Sequence, residues 1–100
     1  MKNIFQVEFY EKINENLFSV DGRFIEGYII KVGYIFSFLK DNGVIYNVNY
    51  IVLNILMYKR NMPFIGLGMT GRLVLQGNFS FSPKNSFEII GANNALQIAL

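Results

Sequence analysis

The stretch Glu15–Gly33, ENLFSVDGRFIEGYIIKVG, decides the fold. Phe18 and Val20 alternate with Ser19 and Asp21, the period-2 pattern of a half-buried strand, and Gly22 is expected to break the run. Phe24 to Val32 is again strand-like, punctuated by Gly27 and closed by Gly33. The stretch is answered by Leu56–Gly77, and the two pieces hold nearly all the glycines that separate apolar strands.

The pattern continues on either side. Phe5, Val7 and Phe9 alternate with Gln6 and Glu8, and Tyr34–Leu39 is aromatic and β-branched. Lys40-Asp41-Asn42-Gly43 reads as a tight hairpin turn, because Asn and Gly tolerate positive φ. Val44–Tyr58 is long enough for a buried helix, but Val44, Ile45, Val48, Ile51, Val52 and Ile55 are β-branched and favour extended chain. Strict alternation puts Ile45, Asn47, Asn49, Ile51, Leu53, Ile55 and Met57 on one face and Tyr46, Val48, Tyr50, Val52, Leu56 and Tyr58 on the other. Both faces are largely apolar, as expected of a barrel wall that also meets a partner.

Lys59–Pro63 reads as a polar connection, and Arg72–Leu75 as a strand between Gly71 and Gly77. Phe79 and Phe81 alternate with serines until Pro83 stops them, and Phe87–Ile90 is a last strand. Strands every 8 to 12 residues, divided by turn residues, imply an all-β fold, a small antiparallel barrel or sandwich. Residues 1–91 form the one expected domain, and 92–100 a tail with room for a helical turn or two.

Composition narrows the function classes. Charged residues are 16% of the chain against 52% apolar, below the roughly 25% charge of ordinary domains, so some apolar surface is left for a partner or a second copy. A net charge of +2 is too small to imply a nucleic-acid partner by itself. There is no cysteine for disulfides or thiolate metal sites, and no histidine to serve as general base or metal ligand. The opening MKNIFQVEFYEK meets charge too early for a signal peptide. The uncharged run Asn42–Tyr58 is shorter than the roughly 20 residues of a membrane span, so a cytoplasmic protein without a membrane partner is expected.

Four segments in register carry a family resemblance. ENLFSVDGR at Glu15–Arg23 resembles the strand that opens the second domain of elongation factor Tu and related translational GTPases. Phe24-Ile25-Glu26-Gly27 with Lys31-Val32-Gly33 resembles that domain's next strand and its lysine-valine-glycine turn. Leu56-Met57-Tyr58-Lys59-Arg60, and Gly68 through Leu73-Val74-Leu75-Gln76-Gly77, resemble its later strands. The resemblance covers roughly Phe5–Ile90 and implies a small closed antiparallel β-barrel of about six or seven strands. In those factors the module packs on the GTPase domain and contacts the end of aminoacyl-tRNA. Of the family's aminoacyl pocket, Glu15 and Phe18 match two positions, whereas Leu56 replaces a glutamate and Thr70 stands for an asparagine. The hairpin between Gly27 and Lys31 is about four residues short of the family's. No G-x-x-x-x-G-K-S/T loop is present, so no nucleotide hydrolysis is expected.

Other constellations weigh less. Gly66-Leu67-Gly68-Met69-Thr70-Gly71 matches G-x-G-x-x-G, with Glu88 near the spacing of a ribose-binding acid. A dinucleotide site needs a helix after the third glycine, and Arg72–Gln76 reads as strand, so no cofactor is expected. Glu8, Glu11 and Glu15 lack the partners for paired acid–base chemistry, and no catalytic or metal-binding residue is assigned. Two readings remain open. The first is a non-enzymatic protein-interaction module whose partner is a protein or another copy of itself, with Tyr46, Tyr50 and Tyr58 as candidate interface residues. The second is an RNA- or tRNA-binding accessory using Lys59, Arg60, Arg72 and Lys84 beside Tyr58 and Phe79. Four cations on one face would favour the second.

Overall fold

The computed structural model describes residues 2–83 and 86–92. They form β1 (Lys2–Asn14), β2 (Leu17–Glu26), β3 (Ile29–Lys31), β4 (Ile35–Asp41), β5 (Val44–Met57), β6 (Arg60–Met62), β7 (Phe64–Gly66), β8 (Thr70–Gln76) and β9 (Phe87–Ala92). Among the described residues there is no helix, and so none long and apolar enough to cross a membrane. The expected helical turns of the tail fall on 93–100, outside the described residues.

Six strands close on themselves. The order β4-β9-β1-β2-β8-β5 returns to β4 through the β4–β5 hairpin, every pairing antiparallel, giving the small closed barrel that the family resemblance implied, one of the two architectures the strand spacing allowed. β6 adds to β5, while β3 and β7 form a separate two-stranded ribbon. Closure removes most of the unpaired strand edge that an open sheet of this size would expose. The interior is filled from every wall, by Phe5 and Val7, Phe18 and Val20, Phe36 and Leu39, Tyr50 and Val52, Leu73 and Leu75, and Ile89.

Both mouths are plugged by the connections that cross them. At the mouth where β2 ends and β8 begins, the β3–β7 ribbon turns Ile30 and Ile65 into the core, and both are fully buried. Asn3, also fully buried, pins that ribbon: its Nδ2 donates to the Ile29 carbonyl at 3.2 Å and its Oδ1 accepts from the Tyr28 N–H at 3.1 Å. At the other mouth, Phe79 stacks on Phe18 at 4.5 Å and meets Tyr10 edge-on at 5.1 Å. The Tyr10 hydroxyl donates to the Pro83 carbonyl at 3.3 Å and ties the plug to β1.

Several expectations change. Gly22 does not break a strand. β2 runs through it, opposite Val7 where the register of β1 shifts, and the Gln6 carbonyl lies where a Cβ would sit, so only glycine fits. The stretch expected from Phe24 to Val32 divides at Gly27, with β2 on one side and the separate β3 on the other. Asn42 and Gly43 make the expected hairpin turn, at φ 53° and 82°. The two alternating faces of Val44–Tyr58 do not hold. Pairing with β8 slips between Val52 and Asn54, so Ile55 and Met57 join Tyr50 and Val52 in the core. Lys59–Pro63 is no plain connection: Tyr58 and Lys59 take φ 54° and 63°, turning the chain back so that β6 pairs with β5. Phe79 and Phe81 form no strand, since the chain leaves the wall at Gly77 to cross the barrel mouth.

Candidate functional site

The positions that resemble an aminoacyl pocket fall at two ends of the barrel. β2 and β8 run side by side from Leu17 opposite Gln76 to Arg23 opposite Thr70, a separation of about 20 Å along the strands. Glu15 lies in the β1–β2 turn at the first end, exposed. Phe18 enters the core there, fully buried against Tyr50 at 4.8 Å and against Phe79, and presents no surface to a ligand. Thr70 and Leu56 lie at the other end. The pocket implied by the resemblance is therefore not assembled.

Leu56 and Thr70 do share a groove of about 600 Å³ with Asp21, Tyr58, Lys59 and Arg72, on the outside of β2, β8 and β5. Its fixed element is an ion pair: Arg72 Nε donates to Asp21 Oδ1 at 2.7 Å and Nη2 to Oδ2 at 3.1 Å. This two-pronged contact, and then the charge of Asp21, raise the pKa of the Arg72 guanidinium. Asp21 thereby competes with any other anion for the half-exposed Arg72 guanidinium. Lys59 is exposed on the rim, beside Tyr58, whose ring is 97% exposed at the tip of the β5–β6 hairpin. Arg60 pairs with Met57, whose side chain turns inward. Arg60 does not line the groove, although Met57, its cross-strand partner, does. Lys84 lies outside the described residues. Of the expected cations, Lys59 and Arg72 are brought together and Arg60 is not.

The interface expected at Tyr46, Tyr50 and Tyr58 loses Tyr50, which is fully buried. β5 is inside the barrel wall at that point, paired with Phe36 on β4, and its register turns the ring to the core. Tyr46 and Tyr58 remain exposed near opposite ends of β5, too far apart to form one patch.

A more extended apolar surface, not foreseen from the sequence, is the outward face of the β3–β7 ribbon with its flanking turns. Phe64 stands opposite Lys31 on the ribbon, and Met69 reaches back to the ribbon's end, where its Sδ accepts from the Gly66 N–H at 3.3 Å. Gly68 and Met69 are tied to β2 through the Phe24 backbone at 2.8 and 3.0 Å, which sets Ile25 beside them. Tyr28 is 72% exposed and Leu67 56%, while Ile25, Phe64 and Met69 are also exposed. The missed signal was Phe64-Ile65-Gly66: once Ile65 is needed as a plug, its neighbour Phe64 must face outward.

The third glycine of the Gly66–Gly71 run lies inside β8, which begins at Thr70, so a strand follows it, as read from Arg72–Gln76. Among the described residues no group of three or more acidic side chains is placed to hold a metal ion.

Comparisons with known proteins give no relative. No family model, curated protein or solved structure matches the chain. The small closed antiparallel barrel is compatible with the second domain of the translational GTPases, and that likeness rests on architecture and on the four sequence segments alone.

Proposed function

We propose that this barrel is a non-enzymatic protein-interaction module, and that it docks through the apolar face of the β3–β7 ribbon. The observation that carries the reading is the joint exposure of Ile25, Tyr28, Phe64, Leu67 and Met69 at one barrel mouth. Monomeric proteins seldom leave large apolar side chains side by side in water, and such patches mark interaction sites. The ribbon beneath is held by Asn3 and by the buried Ile30 and Ile65, so the face is presented ready-formed and costs little to order on binding. Resemblance to a translation-factor barrel, a module that packs on another domain, supports the same reading. A cysteine-free chain fits a cytoplasmic setting.

The test is affinity capture from a cell extract with wild type and with Tyr28→Glu/Leu67→Glu. Both positions lie in turns and are open to water, so the double variant keeps the barrel. A protein held by wild type and lost from the variant is the expected result. Equal capture by both, or capture by neither, refutes the assignment of this face.

One observation favours RNA as a second reading. Tyr58, almost wholly exposed, stands beside Lys59 over the groove that Arg72 also lines, a stacking ring next to cations. Binding of bulk tRNA that weakens steeply with salt and is lost in Tyr58→Ala/Lys59→Ala would support it. It ranks behind the protein-interaction reading because Asp21 already occupies Arg72 and Arg60 does not line the groove.

A further inference from the structure

The part of β5 nearest the β4–β5 turn carries a different kind of surface, an open strand edge. In a two-residue hairpin the residues flanking the turn exchange hydrogen bonds, and the alternation that follows fixes which residues face the neighbouring strand. Asp41 and Val44 flank Asn42-Gly43, and Tyr46 stands opposite Leu39. The backbone groups of Val44 and Tyr46 thus point at β4, and those of Ile45 and Asn47 point away from it. β8 reaches β5 only at Ile51, and among the described residues no other segment hydrogen-bonds to the backbone of Ile45 or Asn47.

Other edges of the fold are protected. β1 continues beyond Val7, where β9 stops, but that part carries Glu8, Glu11 and Lys12. β6 and β7 are three residues each with Pro63 between them. Short strands, charge and proline are the means by which proteins discourage edge pairing. Val44–Asn47 has none of them, the irregularity in its pairing with β4 comes only after Asn47, and Val44, Ile45 and Tyr46 are exposed, Ile45 at 60%.

We propose that this edge pairs antiparallel with the same edge of a second copy, about a two-fold axis at Tyr46. The register follows from the open hydrogen-bonding positions. Ile45 lies opposite Asn47 of the second copy and exchanges both backbone bonds with it, Val44 lies opposite Val48, and the two Tyr46 side chains meet at the axis. A self-complementary interface needs a patch that tolerates its own image. This one does, because no position between Asn42 and Tyr58 is charged and no like charges are brought together. Tyr46 is backed by Phe81 at 4.5 Å, which holds the ring at the axis. The edge is separate from the apolar face of the ribbon, so either assignment can fail without the other.

The absence of cysteine makes the register directly testable. Residues opposite each other at a non-hydrogen-bonded antiparallel position have Cα atoms about 4.5 Å apart, within disulfide range. Tyr46→Cys is expected to oxidise to a covalent dimer about tenfold faster than Ile45→Cys, whose counterpart is displaced along the strand. Light scattering at about 100 µM should give a dimer for wild type and a monomer for Ile45→Lys, with the same β-sheet circular dichroism. Asn47→Pro, which removes an edge N–H, should act likewise. A wild-type monomer at that concentration, a dimer that survives both substitutions, or equal oxidation at positions 45 and 46 overturns the proposal. Loss of the dimer in Tyr28→Glu/Leu67→Glu with an intact edge would transfer the contact to the ribbon face and overturn it too.

Discussion

Replacing Tyr50 by Phe should stabilise this protein. The Tyr50 ring is fully buried between Phe18 at 4.8 Å and Phe79 at 6.3 Å, and its hydroxyl has no hydrogen-bond partner among the described residues. A buried hydroxyl without a partner costs about 1–3 kcal/mol, and deleting the oxygen leaves a void whose cost is below about 1 kcal/mol. The net expectation is a gain of about 1 kcal/mol, or a rise in Tm of about 4–8 °C for a domain of this size. A pH dependence separates this effect from better packing. Burial pushes the Tyr50 phenol well above its ordinary range. Its contribution to stability is therefore complete below pH ~10, where the unfolded phenol begins to ionise, and is lost as pH rises toward the folded value. Wild type should lose about 1.4 kcal/mol per pH unit above pH ~10 from this group alone, and Tyr50→Phe should lack that slope. Urea denaturation followed by circular dichroism at pH 7, 10 and 11.5 measures both quantities. A variant less stable than wild type at pH 7, with the same decline at high pH, would show that the hydroxyl is hydrogen-bonded or wet and would refute the reasoning.

Three further substitutions test the framework. Asn3→Ala removes both bonds that pin the β3–β7 ribbon and should cost about 2 kcal/mol or more in urea denaturation, with faster hydrogen exchange at Tyr28. Gly22→Ala drives a methyl group into the Gln6 carbonyl and should abolish cooperative thermal unfolding; a variant within about 1 kcal/mol of wild type would mean that β1 relaxes at its register shift. Lys59→Gly relieves one of two adjacent residues held at positive φ and should raise the urea midpoint by about 0.5–1 kcal/mol equivalent, whereas a loss would show that side-chain contacts hold that turn.

The two hairpin turns of β5 show what a sequence of this kind makes legible. Asn42-Gly43 and Tyr58-Lys59 adopt the same class of positive-φ turn. The first uses the residues that prefer that conformation and is readable, while the second uses residues that avoid it and read as ordinary loop. The second turn forms because β6 gains the edge of β5 when the chain reverses, which is tertiary information. The slip between Val52 and Asn54 is hidden for a related reason. In a strand apolar on both faces, one inserted residue leaves no mark on the alternation, yet it reverses which side Ile55 and Met57 occupy.

The same limit governs the site. The all-β fold was legible because glycine, turn and β-branched positions recur along the chain. That spacing allows a barrel or a sandwich, and closure was implied only by the four segments that resemble the translation-factor barrel. A pocket needs side chains from different strands to meet, and that depends on register. Glu15 and Thr70 belong to motifs that align well in sequence, yet antiparallel pairing of β2 with β8 sends them to opposite mouths. Composition, which has no register, proved informative in another way. An apolar excess implies uncovered surface without saying where, and the fold places much of it on the ribbon face and along the first residues of β5, with Phe9, Ile13 and Tyr58 exposed elsewhere. That concentration follows from how the barrel is built. Walls shared by paired strands and a filled interior leave their outer positions free to be polar, whereas a three-residue plugging ribbon must spend its few positions on burial and turns. The residues beside Ile30 and Ile65 are carried outward by the pleat, which is why Lys31 and Phe64, opposite each other on the ribbon, both stand in water.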